Sequence, residues 1–311
     1  MNLTSLECKK IIFEEAARLG IEDIGIATIA TVDDIAQKQF DTWIENGHHG
    51  EMLYLDKYHD VRQNPELLLP SARSIIVCAI NYHPRQKQPA DAPQIASYAL
   101  GKDYHEVVRA KLSILANFIS SNFGGETRVC VDTAPLRERY WAVKAGIGFI
   151  GRNNQLIIPQ KGSYFFLGEI LTTIELPPDE PCTLSCLNCG ACIKHCPTRA
   201  IKLDGSVDAR RCLSYLTIEY RGELPDNLPL GNRVYGCDTC QMVCPHNFNA
   251  KPTEIEEFHP SNELLALDRQ AMEEMTQEQF SLIFRHSAIK RTKHSGFKRN
   301  IEYLTKTARH D

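Results

Sequence analysis

The spacing of its cysteines is the feature that most constrains this chain of 311 residues. Eight of the twelve cysteines lie between residues 186 and 244, in two runs that both end in Cys-Pro. The first run, Cys-x2-Cys-x2-Cys-x3-Cys-Pro, is typical of bacterial proteins that hold two iron–sulfur clusters, and its fourth cysteine binds the other cluster. We therefore predict two [4Fe–4S] clusters. The ligands predicted for the first are Cys186, Cys189, Cys192 and Cys244, and those for the second are Cys196, Cys212, Cys237 and Cys240.

Zinc and disulfide bonds are the simpler interpretations of so many cysteines. A structural zinc site usually takes four ligands, whereas this region offers eight. Disulfides would indicate an oxidising compartment, but the N-terminal MNLTSLECKKIIFEE lacks the basic and apolar segments of a secretory signal. We therefore favour clusters and predict a cytoplasmic protein. No apolar run approaches the length of a membrane span, so no membrane partner is expected.

The pattern of apolar residues predicts three parts. Helix and strand signals alternate over residues 1–175, which predicts an α/β domain with a mixed sheet and helices on its faces. The Pro-rich stretch LPPDEP interrupts the pattern, so we assign a ferredoxin-like domain with both clusters to 176–250. Residues 251–311 predict a short helical and basic C-terminal segment. The fold class is therefore predicted to be α+β or α/β, and we expect a monomer.

Individual elements follow from local signals. Helices are predicted over 5–19 and 105–123, and another is predicted to begin at Pro135 because proline is favoured at the first helical position. The last 60 residues are predicted to be helical, with helical stretches at 262–275 and 278–291. Strands are predicted at 24–30, 74–80, 128–131, 155–158 and 164–174.

Asp132 is a candidate catalytic acid. It follows the strand predicted at 128–131, and ligands bind at the C-terminal ends of strands in α/β sheets. It could instead cap a helix, but Pro135 in the first turn would make Ala134 the cap. A carboxyl group shielded there by a flat cofactor could have a raised pKa and act as a general acid.

Two short motifs match cofactor patterns only in part. GIGFIG at 146–151 has the spacing of a dinucleotide-binding loop but follows a helix, so we interpret it as a tight, close-packed turn. Asp103 and His105 begin a D-x-H-x-x-G motif of cobalamin ligation, but Val108 occupies the glycine position. A helix-capping aspartate or an ordinary surface histidine is therefore the expected role.

Longer stretches resemble one known family. VDTAPLRERYWAVKAGIGFIGRNNQLI, GSYFFLGEILT and CLSYLTIEYRGELP, together with the cysteine runs, are similar to the epoxyqueuosine reductases, which are cobalamin-dependent iron–sulfur enzymes of tRNA modification. The sequence departs from that family at Ser97, where a basic residue is common, and at His246, where tryptophan is common. Many members also have a C-terminal helical-repeat domain, and none is expected here.

The resemblance implies a reaction and a set of roles. The N-terminal domain is expected to bind cobalamin without an axial histidine from the protein. It would remove the epoxide oxygen of epoxyqueuosine as water, giving queuosine at the wobble position of tRNA. Asp132 would be the proton donor, and an unidentified electron donor would supply the clusters. Leu156, Leu167 and Ser214 match cofactor-contacting stretches. Tyr98 and Tyr104 are predicted to line the same cavity, although core packing would explain them equally well.

A basic run near the C-terminus fits a tRNA substrate. Between residues 285 and 299 there are six Lys or Arg, two His and no acidic residue. Such a run predicts a phosphate-contacting surface, and an ordinary solvated helix face is the alternative. The residues predicted to contact tRNA are Arg221, Arg285, Lys290, Arg291, Lys293, Lys298 and Arg299.

Two other functions are compatible with the cysteine spacing. A cobalamin-dependent reductive dehalogenase pairs similar clusters with the same cofactor, but typically has a twin-arginine export signal, absent from this sequence, and tends to use a tyrosine proton donor. A non-enzymatic two-cluster electron carrier would bind no corrin. We favour the reductase because the cluster ligands, the acid and the basic run agree.

Overall fold

The computed structural model describes residues 3–308, so the outermost residues of the first and last predicted parts, 1–2 and 309–311, lie outside it. The strands are β1 (Asp23–Thr28), β2 (Ser74–Asn81), β3 (Gln94–Ile95), β4 (Thr127–Cys130), β5 (Phe149–Ile150), β6 (Leu156–Ile157), β7 (Phe165–Thr172) and β8 (Arg233–Tyr235). The helices are α1 (Ser5–Arg18), α2 (Asp34–Glu45), α3 (His59–Gln63), α4 (Tyr104–Phe123), α5 (Glu138–Lys144), α6 (Ala191–His195), α7 (Leu213–Ile218), α8 (Thr239–Met242), α9 (Asn262–Leu265), α10 (Arg269–Glu274), α11 (Gln277–Ile283) and α12 (Lys293–Ala308). Within the described range, no helix is both long and apolar enough to cross a membrane.

The central sheet has four strands in the order β1–β2–β7–β4. Each neighbouring pair is antiparallel, so the expectation of a mixed sheet is wrong for this sheet. Helix–strand alternation does not fix strand direction, because a helix can also lead into a strand that runs back along its neighbour. The parallel pair β3–β8 belongs to a separate two-stranded sheet.

Strand β2 lies inside the sheet and is buried on both faces. Successive side chains of a strand point to opposite faces, and those of β2 divide accordingly between two apolar cores. Ile76 belongs to a core with Leu112 of α4, whereas Val77 belongs to a core with Trp141 of α5. Burying one such side chain stabilises the fold by about 1.5–3 kcal/mol. The strand predicted at 74–80 is confirmed. Its continuous apolar run is explained by the helices that cover both faces of the strand.

Side-chain caps fix the ends of α1 and α4. The Thr4 hydroxyl accepts the backbone N–H of Glu7, and the Glu7 carboxylate accepts that of Thr4, so α1 begins at the next residue. Asp103 accepts the backbone N–H of His105 at 3.0 Å and begins α4, as the capping interpretation expected. Gly124, with a φ of 74°, ends that helix.

The helix predicted from Pro135 forms as α5, but its predicted start is wrong, because it begins only at Glu138. Asp132 has a φ of 50°, in the left-handed region, and this turns the chain at the end of β4. The Glu138 carboxylate accepts the backbone N–H of Asp132 at 2.5 Å. This hydrogen bond closes a loop over 132–137 that holds Asp132 beside the end of the strand.

The glycine-rich turn at 146–151 is close-packed, as expected. Gly146 has a φ of 75°, and a Cβ atom at Gly148 would lie 2.2 Å from the carbonyl oxygen of Ile157. The glycines therefore let this turn approach β6 closely.

A third apolar core joins the cysteine-bearing part to the C-terminal helices. Leu216 and Val234 belong to it together with Phe284 of the C-terminal part. The side-chain amide of Asn300 in α12 donates to the carbonyl oxygens of Thr217 and Val234, both at 2.8 Å. Residues on both sides of the predicted boundary at 250 share this core, and the three-part division stays a prediction.

The C-terminal part is helical, as predicted, but neither the stretch at 262–275 nor the one at 278–291 forms one continuous helix. The chain instead forms α9, α10 and α11, followed by a 3₁₀ helix over Ala288–Thr292. Asp268 caps α10 and Thr276 caps α11 by accepting backbone N–H groups of the first turns. Such caps offer the backbone an alternative to continuing the previous helix.

Candidate active site

A cleft of about 1810 Å³ opens beside the end of β4. This volume exceeds the ~300–1,000 Å³ typical of sites for one small ligand. Its lining combines aromatic, acidic and basic side chains. They include Tyr54, Arg62, Tyr98, Tyr104, His105, Asp132, Arg137, Glu138, Tyr235 and Arg291. The cleft is large enough for a cofactor and a substrate together.

Three polar side chains form a hydrogen-bonded chain at the wall of this cleft. The Nε2 atom of His105 lies 2.9 Å from Oδ2 of Asp132, and its Nδ1 atom lies 2.7 Å from Oδ1 of Asp103. The Asp132 side chain is 52% exposed and the His105 side chain 29%. Asp132 therefore lies at the end of a strand, as predicted, with a histidine behind it. The expectation that His105 is an ordinary surface histidine is wrong.

The hydrogen bonds determine where the proton of this pair resides. Burial acts to lower the pKa of His105, but its hydrogen bonds to Asp103 and Asp132 outweigh burial and raise the pKa to about 9. Burial acts to raise the pKa of Asp132, but the hydrogen bond and positive charge of His105 outweigh it, and this pKa is lowered. The raised pKa expected for Asp132 beneath a flat cofactor stays a prediction. At neutral pH the proton resides on His105.

Two further carboxyl groups lie close to Asp132. Burial and then the negative charge of Asp132 raise the pKa of Glu138. Glu169 in β7 is fully buried and is paired in register with Cys130, two residues before Asp132. Neither carboxylate oxygen of Glu169 has a hydrogen-bond partner among residues 3–308. Burial, followed by the charge of Glu138, raises the pKa of Glu169. Both groups therefore favour the protonated form.

Aromatic side chains form the adjoining wall. The Tyr104 ring stacks on His105 and on Phe166, with centroid separations of 4.1 Å and 4.4 Å. The Tyr98 hydroxyl donates to that of Tyr235 at 3.1 Å. Tyr98 and Tyr104 thus line the cleft, and they also pack against the apolar cores. Burial raises the pKa of both hydroxyls, so they stay protonated.

The other predicted cofactor contacts lie elsewhere. Leu156 is buried in β6, and Leu167 and Ser214 are half-buried in β7 and α7. None of these three described residues lines the cleft beside Asp132. Their role as cofactor contacts stays a prediction.

The structure brings the cysteines together in the predicted groups. The first group lines one small cavity, formed by Cys186, Cys189, Cys192 and Cys244. In the second group, burial and then the charges of Cys212 and Cys237 raise the pKa of Cys240. Cys196 lies near Cys212 and acts on its pKa in the same direction. All eight are free thiols, and grouped thiolates are the ligands that iron–sulfur clusters use. No group of three or more His, Cys, Asp or Glu side chains in the described part is placed to hold a single metal ion.

The residues predicted to contact tRNA differ in their contacts. Arg221, Lys298 and Arg299 donate to backbone carbonyl oxygens and so connect elements of the protein itself. Arg291 lines the cleft and forms an ion pair with Glu219, with a nitrogen–oxygen distance of 2.9 Å. The four that keep exposed side chains without those carbonyl bonds are Arg285, Lys290, Arg291 and Lys293.

Comparison with known proteins identifies the family. The family model "Epoxyqueuosine reductase QueG, DUF1730" matches residues 62–133, and the model "4Fe-4S double cluster binding domain" matches 185–247. The epoxyqueuosine reductase of Cellulophaga algicola is 39% identical over 297 residues, which covers 94% of this chain and 97% of that protein. This chain belongs to the epoxyqueuosine reductase family. It is an oxidoreductase with a domain for two [4Fe–4S] clusters, and family membership decides against the dehalogenase and the simple electron carrier.

Solved epoxyqueuosine reductases share the fold. One crystal structure, with an epoxyqueuosine-modified tRNA-Tyr stem loop, is 32% identical and superposes with a TM-score of 0.86 over 96% of this chain and 80% of that chain. The Bacillus subtilis epoxyqueuosine reductase, with its catalytic aspartate loop swung out of the active site, is also 32% identical and has a TM-score of 0.84 over 96% and 81%.

Sequence reasoning missed three residues of this reductase site: His105, Glu138 and Glu169. The Asp103-x-His105 pair pointed to the first, but its distance from Asp132 in the chain hid the contact. Glu169 carries a clearer signal, because an acid inside the apolar run FFLGEILT is costly to bury without a purpose.

Proposed function

We propose that this chain reduces epoxyqueuosine to queuosine at the wobble position of tRNA. Two electrons and two protons remove the epoxide oxygen as water, and the carbon–carbon double bond is restored. The observation that carries the proposal is the Asp132–His105–Asp103 chain at the wall of the cleft, in a member of a family named for this reaction. A tRNA substrate also favours a cytoplasmic site of action.

The two cysteine groups are proposed to hold the clusters. The first would use Cys186, Cys189, Cys192 and Cys244, and the second Cys196, Cys212, Cys237 and Cys240. Cys192 lies near enough to Cys240 for its charge to act on the pKa of that thiol, so the two groups are neighbours. Ile218 and Tyr235, which line the cleft, belong to the same stretches of chain as Cys212 and Cys237. Electrons can therefore pass from one group to the other and on to the cleft.

A cobalamin is proposed as the cofactor of the cleft. The volume suits a macrocycle beside a nucleoside. The buried Nε atoms of Arg62 and Arg137 line this space and have no hydrogen-bond partner among residues 3–308, which suits the carboxamide groups at the edge of a corrin. When bound, cobalamin supplies the reductive chemistry at the substrate carbon. The proposed contacts are Tyr98, Tyr104, Leu156, Leu167 and Ser214.

Asp132 is the proposed proton donor. An alkoxide leaves poorly unless it is protonated as the carbon–oxygen bond breaks. Because the pKa of His105 is raised to about 9, the imidazole holds a proton at neutral pH. Asp132 is ionised at rest, so it takes a proton from Nε2 of His105 across 2.9 Å and passes that proton to the substrate oxygen as the carbon–oxygen bond breaks. Asp103 holds the ring in this orientation through Nδ1.

Glu138 and Glu169 are proposed as positioning residues. Glu138 holds the backbone N–H of Asp132 and therefore fixes the loop that carries the donor. When both glutamates are protonated, Asp132 is the negatively charged member of these three carboxyl groups. Asp132 and Asp103 are then the two carboxylates that hold the His105 imidazolium, which keeps the proton chain assembled.

The exposed basic residues are proposed to bind tRNA through phosphates, which position the nucleic acid without reading its sequence. They are Arg285, Lys290, Arg291 and Lys293. The modified base would unstack and enter the cleft, as in other enzymes that act on a base. Arg291 belongs to both the basic surface and the lining of the cleft, so it connects the docking step to the chemistry. Arg221, Lys298 and Arg299 would contribute mainly by holding this surface in place.

The experiment that tests the proposal is an anaerobic assay on tRNA from cells that lack this activity, read by nucleoside mass spectrometry. The protein should be reconstituted with iron, sulfide and cobalamin and supplied with a chemical reductant. We expect epoxyqueuosine to disappear and queuosine to appear in equal amount. Protein that contains both clusters and binds cobalamin, yet leaves epoxyqueuosine unchanged, would overturn the assignment.

A further inference from the structure

The first cysteine group lies at the surface of the molecule. Cys189 is the exposed member of that group. Leu184 and Leu187, just before it in the chain, are 58% and 63% exposed, and Met242 and Phe248 of the second cysteine run are 58% and 70% exposed. We call these five residues the cluster-side surface. Exposed apolar side chains that gather around a functional centre are a mark of an interaction site.

The chain around this surface is depleted of negative charge. Asp and Glu supply 39 of the 311 residues, yet none occurs in 181–203 or in 239–253. The same two segments contain four basic residues, of which the first three are exposed close to the first cysteine run. They are Lys194, Arg199, Lys202 and Lys251. A protein with a net charge of −4 therefore has a positive rim around its exposed cluster ligand.

Acids at the borders of these segments do little to cancel that rim. Asp179 forms an ion pair with Lys9 at 2.6 Å, which balances its charge, whereas Asp238 keeps its charge and accepts the backbone N–H of Ser97 at 2.7 Å. Glu180 and Asp204 are exposed, but the segment between these two acids contains three exposed basic residues, Lys194, Arg199 and Lys202. The rim keeps its positive sign.

We propose that the cluster-side surface docks an acidic, one-electron carrier protein that reduces the first cluster. This proposal rests on the ligand role given to Cys189 under the proposed function. In each encounter the carrier is oxidised by one electron and the cluster is reduced by one electron, and no bond is made or broken. Two encounters supply the two electrons that one epoxide consumes, whereas the protons enter at the cleft.

The chemistry of the surface favours a protein over RNA as its occupant. Electron-transfer complexes are small and transient, with an apolar centre and a charged rim that guides the encounter. Leu184, Leu187 and Phe248 offer nothing to a phosphate, but they suit the apolar patch of a redox protein. The residues proposed to bind tRNA lie in a different segment, at 285–293.

The test measures how fast the first cluster is reduced. Full-length protein with reconstituted clusters is mixed in a stopped-flow instrument with a reduced, acidic plant-type [2Fe–2S] ferredoxin, and cluster absorbance is followed without tRNA or cobalamin. The double variant Lys194→Glu/Arg199→Glu is compared with Lys10→Glu/Arg18→Glu, which makes the same charge change on α1. We expect the second-order rate constant to fall about 10-fold or more in the first variant, with a weaker salt dependence, and to stay within about 2-fold in the control.

Further measurements keep the outcomes distinct. Iron content and reduction by dithionite should match the wild type in both variants, and Lys194→Gln/Arg199→Gln should fall between wild type and the charge reversal. If wild-type clusters are reduced by dithionite but not by the ferredoxin, or if charge reversal leaves the rate unchanged, the docking proposal is overturned. If instead the variant binds tRNA more weakly, the surface belongs to the RNA. Failure to assemble two clusters in the wild type would count against the proposed ligands.

Discussion

The sheet domain and the first cysteine loop, residues 182–203, are held together in different ways. The sheet is filled from both faces, and β2 has side chains such as Ile76 that are fully buried. The cysteine loop has one five-residue helix, α6, and leaves Leu184, Leu187 and Leu203 exposed. A segment with so little buried apolar surface depends on its metal for order. The sheet domain is therefore ordered by the burial of apolar side chains, whereas the cysteine loop is expected to be ordered by ligation of metal.

The proposed function also divides the chemistry between the two regions. In it, Asp132 and His105 would supply protons from the rigid end of a sheet, where distances are set by strand pairing and by a capped helix. The cysteines would supply electrons, for which they need only to surround a cluster and to stay near its neighbour. Proton donation tolerates less displacement of the reacting atoms than electron transfer does. This fits the position of Asp132 and His105 in the sheet domain, whose packed apolar cores hold side chains in place.

Removal of iron should produce the largest contrast between the regions. After anaerobic chelation, we expect trypsin to cut quickly at Lys194, Arg199 and Lys202, because the loop loses its ligands. The sheet domain should keep its resistance to the protease. The measurement is a digestion time course read by intact-mass spectrometry, with untreated protein as the control. Equal protection of the loop before and after chelation would break the comparison.

Substitution of the acid should remove the chemistry and leave both regions folded. Asp132→Asn is expected to lower the rate of epoxide reduction by about 10²–10⁴-fold, because the general acid is lost. Cluster absorbance and cobalamin binding should not change. Asp34→Asn, an exposed acid in the first turn of α2, serves as the control and should retain activity. Near-normal turnover of Asp132→Asn would assign the residue to structure alone.

A cavity in the sheet core should destabilise one region selectively. Ile76→Ala is expected to reduce the free energy of unfolding by about 2–5 kcal/mol, because the site is closed on all sides. Ile35→Ala, whose side chain is 74% exposed, should change it by about 0.5 kcal/mol or less. Denaturant titration of the far-ultraviolet signal gives both values. If Ile76→Ala also lost iron from the folded protein, the two regions would not be independent.

Substitutions in the basic surface should reduce the salt dependence of tRNA binding, and the accompanying loss of affinity should be largest at low salt. Lys290→Ala/Lys293→Ala is expected to reduce the slope of log K against log salt for tRNA by about 1 to 2, since each contact releases counterions. Lys10→Ala/Arg18→Ala should leave that slope unchanged. Filter binding at several salt concentrations measures it. An unaltered slope in the first variant would remove these lysines from the docking surface.

The smallest expected effect is a pH dependence from His105. Its folded pKa of about 9 lies above the ordinary value of 6.5, so protonation stabilises the folded state. That contribution is fully present below about pH 6.5 and is lost as the pH rises through about 9. His105→Gln should therefore be less stable than the wild type at pH 6, and the difference should shrink by pH 10. Thermal melts across this range test it, and a constant difference would contradict the raised pKa.

Sequence patterns predicted elements whose ends are fixed locally. The cap at Asp103 and the apolar run of β2 gave α4 and that strand nearly to the residue. The loop after β4 was missed because it depends on a bond between Asp132 and Glu138. Likewise, the antiparallel direction of the sheet depends on which strands meet, and local propensity does not contain that information.

The candidate site shows the same limit. Cysteine spacing was sufficient to predict which thiols lie together, because thiolates around one cluster come from short turns at fixed separations. The proton chain was not predictable in full, since His105 and Asp132 are 27 residues apart and meet only when α4 packs beside β4. The lowered pKa of Asp132 beside His105 was not foreseen for the same reason: its neighbour was unknown.

Asn300 has a practical consequence for anyone who re-engineers this chain. Its amide reaches two carbonyl groups inside the third core, at Thr217 and Val234. Replacing that asparagine with leucine would leave both acceptors without a donor inside the core, at a cost of about 1–3 kcal/mol apiece. Affinity tags and fusion partners are therefore better attached where they do not pull on α12.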